Sequence, residues 1–444
     1  MLRKLQYICL VGSVGLINAD RIDLFAGHGP FILTPFLVLA PLVFLIHLLR
    51  MGLRGTLHLT ITPSIRRQIP FLATLVLWLF FSLASIPFGL DPERGVVAYA
   101  DLLLVSMLGY CISVWILAEP VQEKLILHSV TFALFVYVIF CIGECIAWNH
   151  GLVLVQDQKP SSWMESTFAP VPFGLWAPRL SGTTIDPNRA GFVLTMYLVL
   201  LDRFVAKSRY TLVLRCVVAF LILATLSRSA IICWFAYYLF SKTFWTSLAS
   251  RRAVVWLAAI AIVSSLVCVV YQEEIIDVAK AWEITDVVSA RMSGSGSGED
   301  HVLLIRRGLK TWLTSPKTIF TGIGYAAAPK VLGDFFGNDK YGNFHCLYVT
   351  VLAELGLPAF LILLFLLGYP VIGRTGAVSS IAAIMIFNVS YQSHMEPAFW
   401  VVLALAWSFK RRDYPRLRSL ALGRLAASNR TCEQLVYPSS RACP

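Results

Sequence analysis

The chain has 444 residues, of which 57% are hydrophobic and only 14% charged, with a net charge of +12. Its mean hydropathy of +0.72 is too high for one water-soluble core, because too little polar surface remains to cover it. Soluble multidomain enzymes, disordered chains and fibrous repeats are excluded, which leaves a polytopic membrane protein.

Twelve apolar stretches approach the ~20 residues that cross a hydrocarbon core as a helix. Those at 5–19, 31–49, 70–88, 97–118 and 125–147, with the aromatic segment after them, make up an N-terminal unit over 1–187. Those at 188–206, 210–226, 229–247 and 253–271 form a central unit over 188–271. A large loop follows at 272–345, then stretches at 346–370, 375–392 and 394–409 within a unit over 346–409, and a basic tail at 410–444. Continuous apolarity, rather than period-two alternation, predicts an all-α polytopic fold and not a barrel. Most of the 37 lysines and arginines fall in alternate connections and in the tail. The positive-inside rule makes those segments cytoplasmic, with both termini, and puts 148–187 and 272–345 outside. The tail suits anionic lipid headgroups, so the net charge calls for membrane lipids and for no nucleic acid. Seven of the ten cysteines fall inside predicted helices and read as packing residues.

The outer segment 148–187 is strand-poor and rich in Trp, Phe and Pro, as expected of chain lying in the interface; it ends in Arg179-Leu-Ser-Gly-Thr-Thr-Ile-Asp-Pro-Asn188. Asp186-Pro187 is a helix start, with Asp as N-cap and Pro in the first turn. In the large loop, 273–289 and 300–314 read as amphipathic helices on either side of the flexible Ser293-Gly-Ser-Gly-Ser-Gly298. Gly322-Ile-Gly-Tyr325 is a turn, and Gly342-Asn-Phe-His345 runs directly into the next helix.

Isolated cations at outer helix mouths run against the positive-inside bias. Arg228 sits in a tight turn, Leu226-Ser-Arg-Ser-Ala230, while Arg179 and Arg291 stand beside outer turns. Snorkelling is their bland explanation; the chemical one is that arginine binds phosphate through two parallel donors. His345 reads either as an interfacial anchor or as a base, since a histidine among arginines has its cationic form disfavoured. Gly356, eleven residues on, falls within about 20° of the same helix face, which would let another helix approach beneath His345. Glu354 points the opposite way, and Glu144 has no legible partner.

Taken together, these residues resemble the O-antigen ligase and polymerase superfamily of bacterial inner membranes. The resemblance runs from Arg179-Leu-Ser-Gly-Thr with Asp186-Pro-Asn188, through Leu226-Ser-Arg-Ser-Ala230 and Ser289-Ala-Arg-Met292, to Gly322-Ile-Gly-Tyr325, Asn343-Phe-His345 and Glu354-Leu-Gly356. His345 followed by ten residues and Gly356 resembles the ligase signature, whereas the leucine expected four residues after the arginine is Ile232 here. The resemblance implies transfer of a glycan from undecaprenyl diphosphate to the lipid A-core oligosaccharide at the periplasmic face, completing lipopolysaccharide. It also implies inversion at the anomeric carbon, with neither cofactor nor metal. It makes His345, Arg228 and Arg291 the catalytic set and Arg179, Arg306, Asn343 and Tyr325 the substrate contacts. A polymerase or a protein O-oligosaccharyltransferase shares the carrier chemistry and differs in the acceptor. A lipid-glycan transporter would instead place its ionisable groups at membrane mid-depth.

The sequence shows no outer Asp/Glu cluster of the kind that holds a hard divalent cation. Glycan transfer by purified protein should therefore persist in EDTA; complete loss, restored by one added metal, would contradict this.

Overall fold

Helices occupy eleven of the twelve predicted stretches in the computed structural model, which describes residues 1–24, 33–54, 63–149, 168–171, 175–242, 297–337, 342–372 and 375–409. The stretch at 253–271, the helix expected at 273–289, Arg291 and the tail lie outside the described residues. In order, the helices are α1 (Leu2–Gly15), α2 (Pro35–Arg54), α3 (Pro63–Arg66), α4 (Ile69–Ser85), α5 (Pro92–Ala118) and α6 (Gln122–Asn149). They continue with α7 (Pro187–Phe204), α8 (Arg209–Ala224), α9 (Arg228–Lys242), α10 (Ser297–Trp312), α11 (Pro316–Thr321), α12 (Ala328–Phe336), α13 (Leu347–Gly368), α14 (Thr375–Phe387) and α15 (Pro397–Ser408).

Five of these helices are long and apolar enough to cross a membrane: α2, α4 with its 3₁₀ extension, α5, α6 and α13 with its extension. The helices α9, α14 and α15 are apolar but shorter. In α14 and α15 the shortening arises because residues 388–396 fold into a polar connection where the sequence suggested continuous span. The aromatic segment, expected to be strand-poor, contains a small antiparallel hairpin, β1 (Phe168–Val171) on β2 (Leu175–Pro178).

Every residue of α15 is buried, although it is the last described helix. It packs among α5, α7 and α14, with Gly109 of α5 letting Trp400 Cβ and the Pro397 carbonyl approach. α7 is buried continuously from Ala190 to Leu201 and crosses α9 where Gly191 meets Ala230. Such small-residue crossings let helix backbones pack without a cavity. By contrast Phe80, Phe135, Phe220 and Phe235 stand exposed on α4, α6, α8 and α9, a belt suited to lipid.

The connections gather in two sets. At one end Arg203 donates to Ser379, Glu123 accepts from the Ala206 amide, and Arg215 pairs with Asp202. At the other end residues 16–24, 85–91, 179–186, 225–228, 322–328, 342–346 and 388–396 bind one another. These are the segments that the predicted alternation of spans places together.

α13 is broken at Gly356, whose φ is +75° and ψ −176°. Pro358 has no N–H to return to the Glu354 carbonyl four residues back. The Gly322–Gly324 turn supplies the missing donors: the Ile323 amide reaches Ala353 O at 2.8 Å and the Gly324 amide reaches Glu354 O at 2.9 Å. Side chains would prevent this docking, because a Cβ on Gly322 would lie 2.2 Å from the Glu354 carbonyl and one on Gly324 2.3 Å from Gly89 Cα. Gly356 is therefore not a notch beneath His345 on a continuous helix face, as the sequence suggested. It marks a break, and Phe320–Thr321 backbone fills the approach it opens.

The fold predicts a contrast between two left-handed glycines. Gly337, at φ +67°, has nothing within 4 Å of a new Cβ, so Gly337→Ala should cost about 1 kcal/mol of backbone strain. Gly324→Ala adds a backbone overlap and should cost at least ~1–3 kcal/mol more. Melting in detergent checks this, and equal losses would contradict the docked turn.

Candidate functional site

Two helix N-termini meet at the polar end. Asp186 caps α7, its carboxylate accepting from the Asn188 amide at 2.6 Å. Ser227 precedes α9, and its hydroxyl accepts from the Ala230 amide at 3.2 Å while donating to Asn188 Oδ1 at 2.7 Å. Arg179 completes the junction, donating through Nη2 to Asn188 Oδ1 at 3.1 Å and through Nε to Thr225 O at 3.3 Å. Burial lowers the Arg179 pKa; the Asp186 carboxylate opposes that shift and the Arg228 cation adds to it. Arg228 is exposed at the first turn of α9. A cation there opposes the helix dipole unless an anion sits between them, and a helix N-terminus beside arginines is a phosphate site in general chemistry.

Glu144, unexplained in the sequence, holds this loop in place. Its carboxylate accepts from the Ser181 and Gly182 amides at 3.1 and 3.0 Å, from the Ser181 hydroxyl at 2.7 Å, and from Arg21. Arg21 also donates to Gly182 O at 3.1 Å. The unit is structural: it anchors the turn that delivers Arg179.

His345 lies on the other side of the same end. It adopts φ +53°, and its amide donates to Asn343 Oδ1 at 2.7 Å. Phe344 and Cys346 on either side are fully buried, so the turn is pinned at both flanks. Two residues later the Leu347 amide donates to Asn388 O and Tyr391 O, each at 3.0 Å. Residues 388–396 thus link His345 to α7, because Glu396 in that connection pairs with Arg189. Arg189 also pairs with Asp20, and Asn18 donates to Glu396. This cluster ties three remote pieces of chain together. Asp20 is raised by burial, an effect the Arg189 charge opposes.

The remaining predicted residues are placed as follows. Asn343 spends its carbonyl on the His345 turn. Arg306 is half-buried on α10, whose Gly308 packs against Phe344 and Val349. Tyr325, expected to contact substrate, is only 3% exposed, with its hydroxyl donating to Met395 Sδ at 3.1 Å. Its ring meets His394 edge-on inside the bundle. Glu354 faces neither His345 nor lipid: its oxygens accept from the Ala326 and Ala328 amides at 3.1 and 2.9 Å, capping α12 from a distance.

Arg189, Asp20 and Glu396 were missed in the sequence. The available signal was an arginine in the first turn of a predicted span, which needs a buried counter-charge; which carboxylate would supply it depends on folding. Among the described residues, those other than glycine with left-handed φ are Leu226, Ala326 and His345, at 50°, 58° and 53°. Leu226 and His345 lie in turns singled out by motif, and Ala326 directly follows the Gly322–Tyr325 turn. Such residues cost of order 1–3 kcal/mol and persist where surrounding structure imposes them, often at functional sites.

Residues 213–364, from within α8 to within α13, match the family model described as O-Antigen ligase. Across those residues the chain is similar to the O-antigen ligase superfamily. No curated protein matches it. The match, with the long apolar helices, indicates a membrane protein and supports an activity of ligase or polymerase type. The matched region contains Arg228, Gly322–Tyr325, His345 and Gly356, whereas Arg179 and the Arg189 cluster lie wholly outside it. Ile232, where the ligase pattern has leucine, is 56% exposed on α9, so exchanging one aliphatic for another there alters no internal packing.

The ionic cluster makes a stability prediction. Arg189→Met leaves two buried carboxylates without their counter-charge and should cost about 3–5 kcal/mol. Restoring neutrality with Asp20→Asn and Glu396→Gln in the same chain should recover most of it, as measured by melting temperature. No recovery would mean that Arg189 stabilises through packing of its stem.

Proposed function

We propose that this chain is an O-antigen ligase of the bacterial inner membrane, crossing it twelve times with both termini cytoplasmic. It transfers a glycan from undecaprenyl diphosphate to the lipid A-core oligosaccharide at the periplasmic face. The observation that carries this reading is the gathering of the strained motif turns, with Arg179, Arg228 and His345, at one end of the bundle. Arg291 joins this set on sequence grounds.

The chemistry follows from the residue types. An acceptor hydroxyl attacks the anomeric carbon as the bond to the diphosphate oxygen breaks, with inversion. His345 takes the proton of that hydroxyl. Negative charge grows on the leaving lipid diphosphate, and Arg179, Arg228 and Arg291 receive it together with the N-terminal dipoles of α7 and α9. Arginine remains charged at this depth, and a partly dehydrated mouth makes each donor count more than in water. Arg306 and Asn343 flank the acceptor side, and the reaction proceeds without metal.

Reconstitution with lipid-linked glycan and rough lipopolysaccharide tests the reading. Ala at Arg179, Arg228 or Arg291 should each lower transfer on the order of 10²–10³, with Lys rescuing only in part. His345→Ala and His345→Gln should both lose on the order of 10²–10⁴. Near-wild-type transfer by His345→Gln would assign the proton to another group. Activity with a growing glycan and not with lipid A-core would make the enzyme a polymerase.

A further inference from the structure

We propose that His301 is a positioning residue for glycan transfer: its imidazole packs against that of His345 and holds the His345 ring in the orientation that takes the acceptor proton. The proposal rests on the reading of His345 as the base.

The turn at 343–346 fixes the His345 backbone but does not by itself fix its ring. The Asn343 carbonyl binds the amide, and buried Phe344 and Cys346 pin the flanks. The torsion that turns an imidazole about its own bond is broad, so a part-exposed ring needs a neighbour to select one orientation. One such neighbour is His301, in the second turn of α10. The two ring centroids lie 4.3 Å apart with the planes tilted by 51°. Aromatic pairs at this separation prefer a limited set of mutual orientations.

The placement of His301 is itself rigid. α10 meets α13 at Gly308, where an added Cβ would come within 2.5 Å of Val349 Cγ1 and 2.9 Å of Phe344. Phe344 therefore serves two purposes: it seats α10 and it immediately precedes His345. Together with Val349 it fixes the spacing between the two imidazoles. His301 stands three, four and seven residues before Leu304, Ile305 and Gly308, on the same face of α10 as that buried stripe, which turns its ring inward toward His345.

The test uses full-length protein in the reconstituted transfer assay. His301→Ala should lower kcat roughly 10–100-fold, the scale expected for a misplaced catalytic group, while KM for the lipid-linked donor and the melting temperature stay near wild type. His301→Phe keeps a ring face against His345 and should restore most of the rate. His345→Ala and the double His345→Ala/His301→Ala variant should be equally slow, because His301 acts only through His345. The proposal is overturned if His301→Ala transfers at the wild-type rate while His345→Ala is inactive. It is also overturned if His301→Phe is as slow as His301→Ala, or if the double variant is slower than His345→Ala alone. Full activity of His345→Ala would instead remove the reading on which the proposal stands.

Discussion

A carbonyl left without a donor inside a membrane protein must find one, and the break in α13 creates that demand at Ala353 and Glu354. The glycine turn at 322–324 answers it with two amides, and the Glu354 carboxylate returns the favour by capping α12. The same turn gives the Ile323 carbonyl to the Leu90 amide, which ties the start of α5 to this region. Backbone contact this close is possible because Gly89, Gly322, Gly324 and Gly356 lack side chains. The short helices α10–α12 are thereby fixed against the N-terminal half of α13, the half that begins just after His345. The position of the proposed base depends on a helix break eleven residues away through this chain of contacts.

A second constraint acts from the other side of the same end. Arg189 bridges Asp20 and Glu396, and Glu144 gathers Ser181, Gly182 and Arg21. Both arrangements join residues separated by more than a hundred positions, and both satisfy charges that would be costly if left bare at a membrane mouth. The two ionic units serve one purpose, to hold the Arg179–Asn188 loop against α9 and residues 388–396 against α7. Polar groups thus substitute for hydrophobic packing where helix ends cannot pack on lipid. The arrangement leaves Arg228 exposed at a helix N-terminus and His345 part-exposed across the connection.

The helices were legible because a twenty-residue apolar run has few physical alternatives to a buried or lipid-facing helix. Asp186-Pro187 was legible as a helix start because capping is local chemistry, and the structure has that cap. Local reasoning failed where partners come from distant chain. Glu144 reads as an orphan until the turn at 181–182 is folded onto it. Gly356 reads as a helix-face notch as long as the helix is taken to continue, although Pro358 two residues later carried the warning that a carbonyl would be freed. Tyr325 shares a motif with glycines that lie at a functional end, but a buried tyrosine and an exposed one look alike in sequence. His301 had no local signal, since its meaning comes only from the ring beside it.

The most direct test of one site at this end is an electron-cryomicroscopy map of the protein with a lipid-linked diphosphate glycan bound. The account predicts diphosphate density between Arg179 and Arg228 at the N-termini of α7 and α9, with the anomeric carbon turned toward His345. Diphosphate density at the opposite end, beside Arg203 and Arg215, would contradict it.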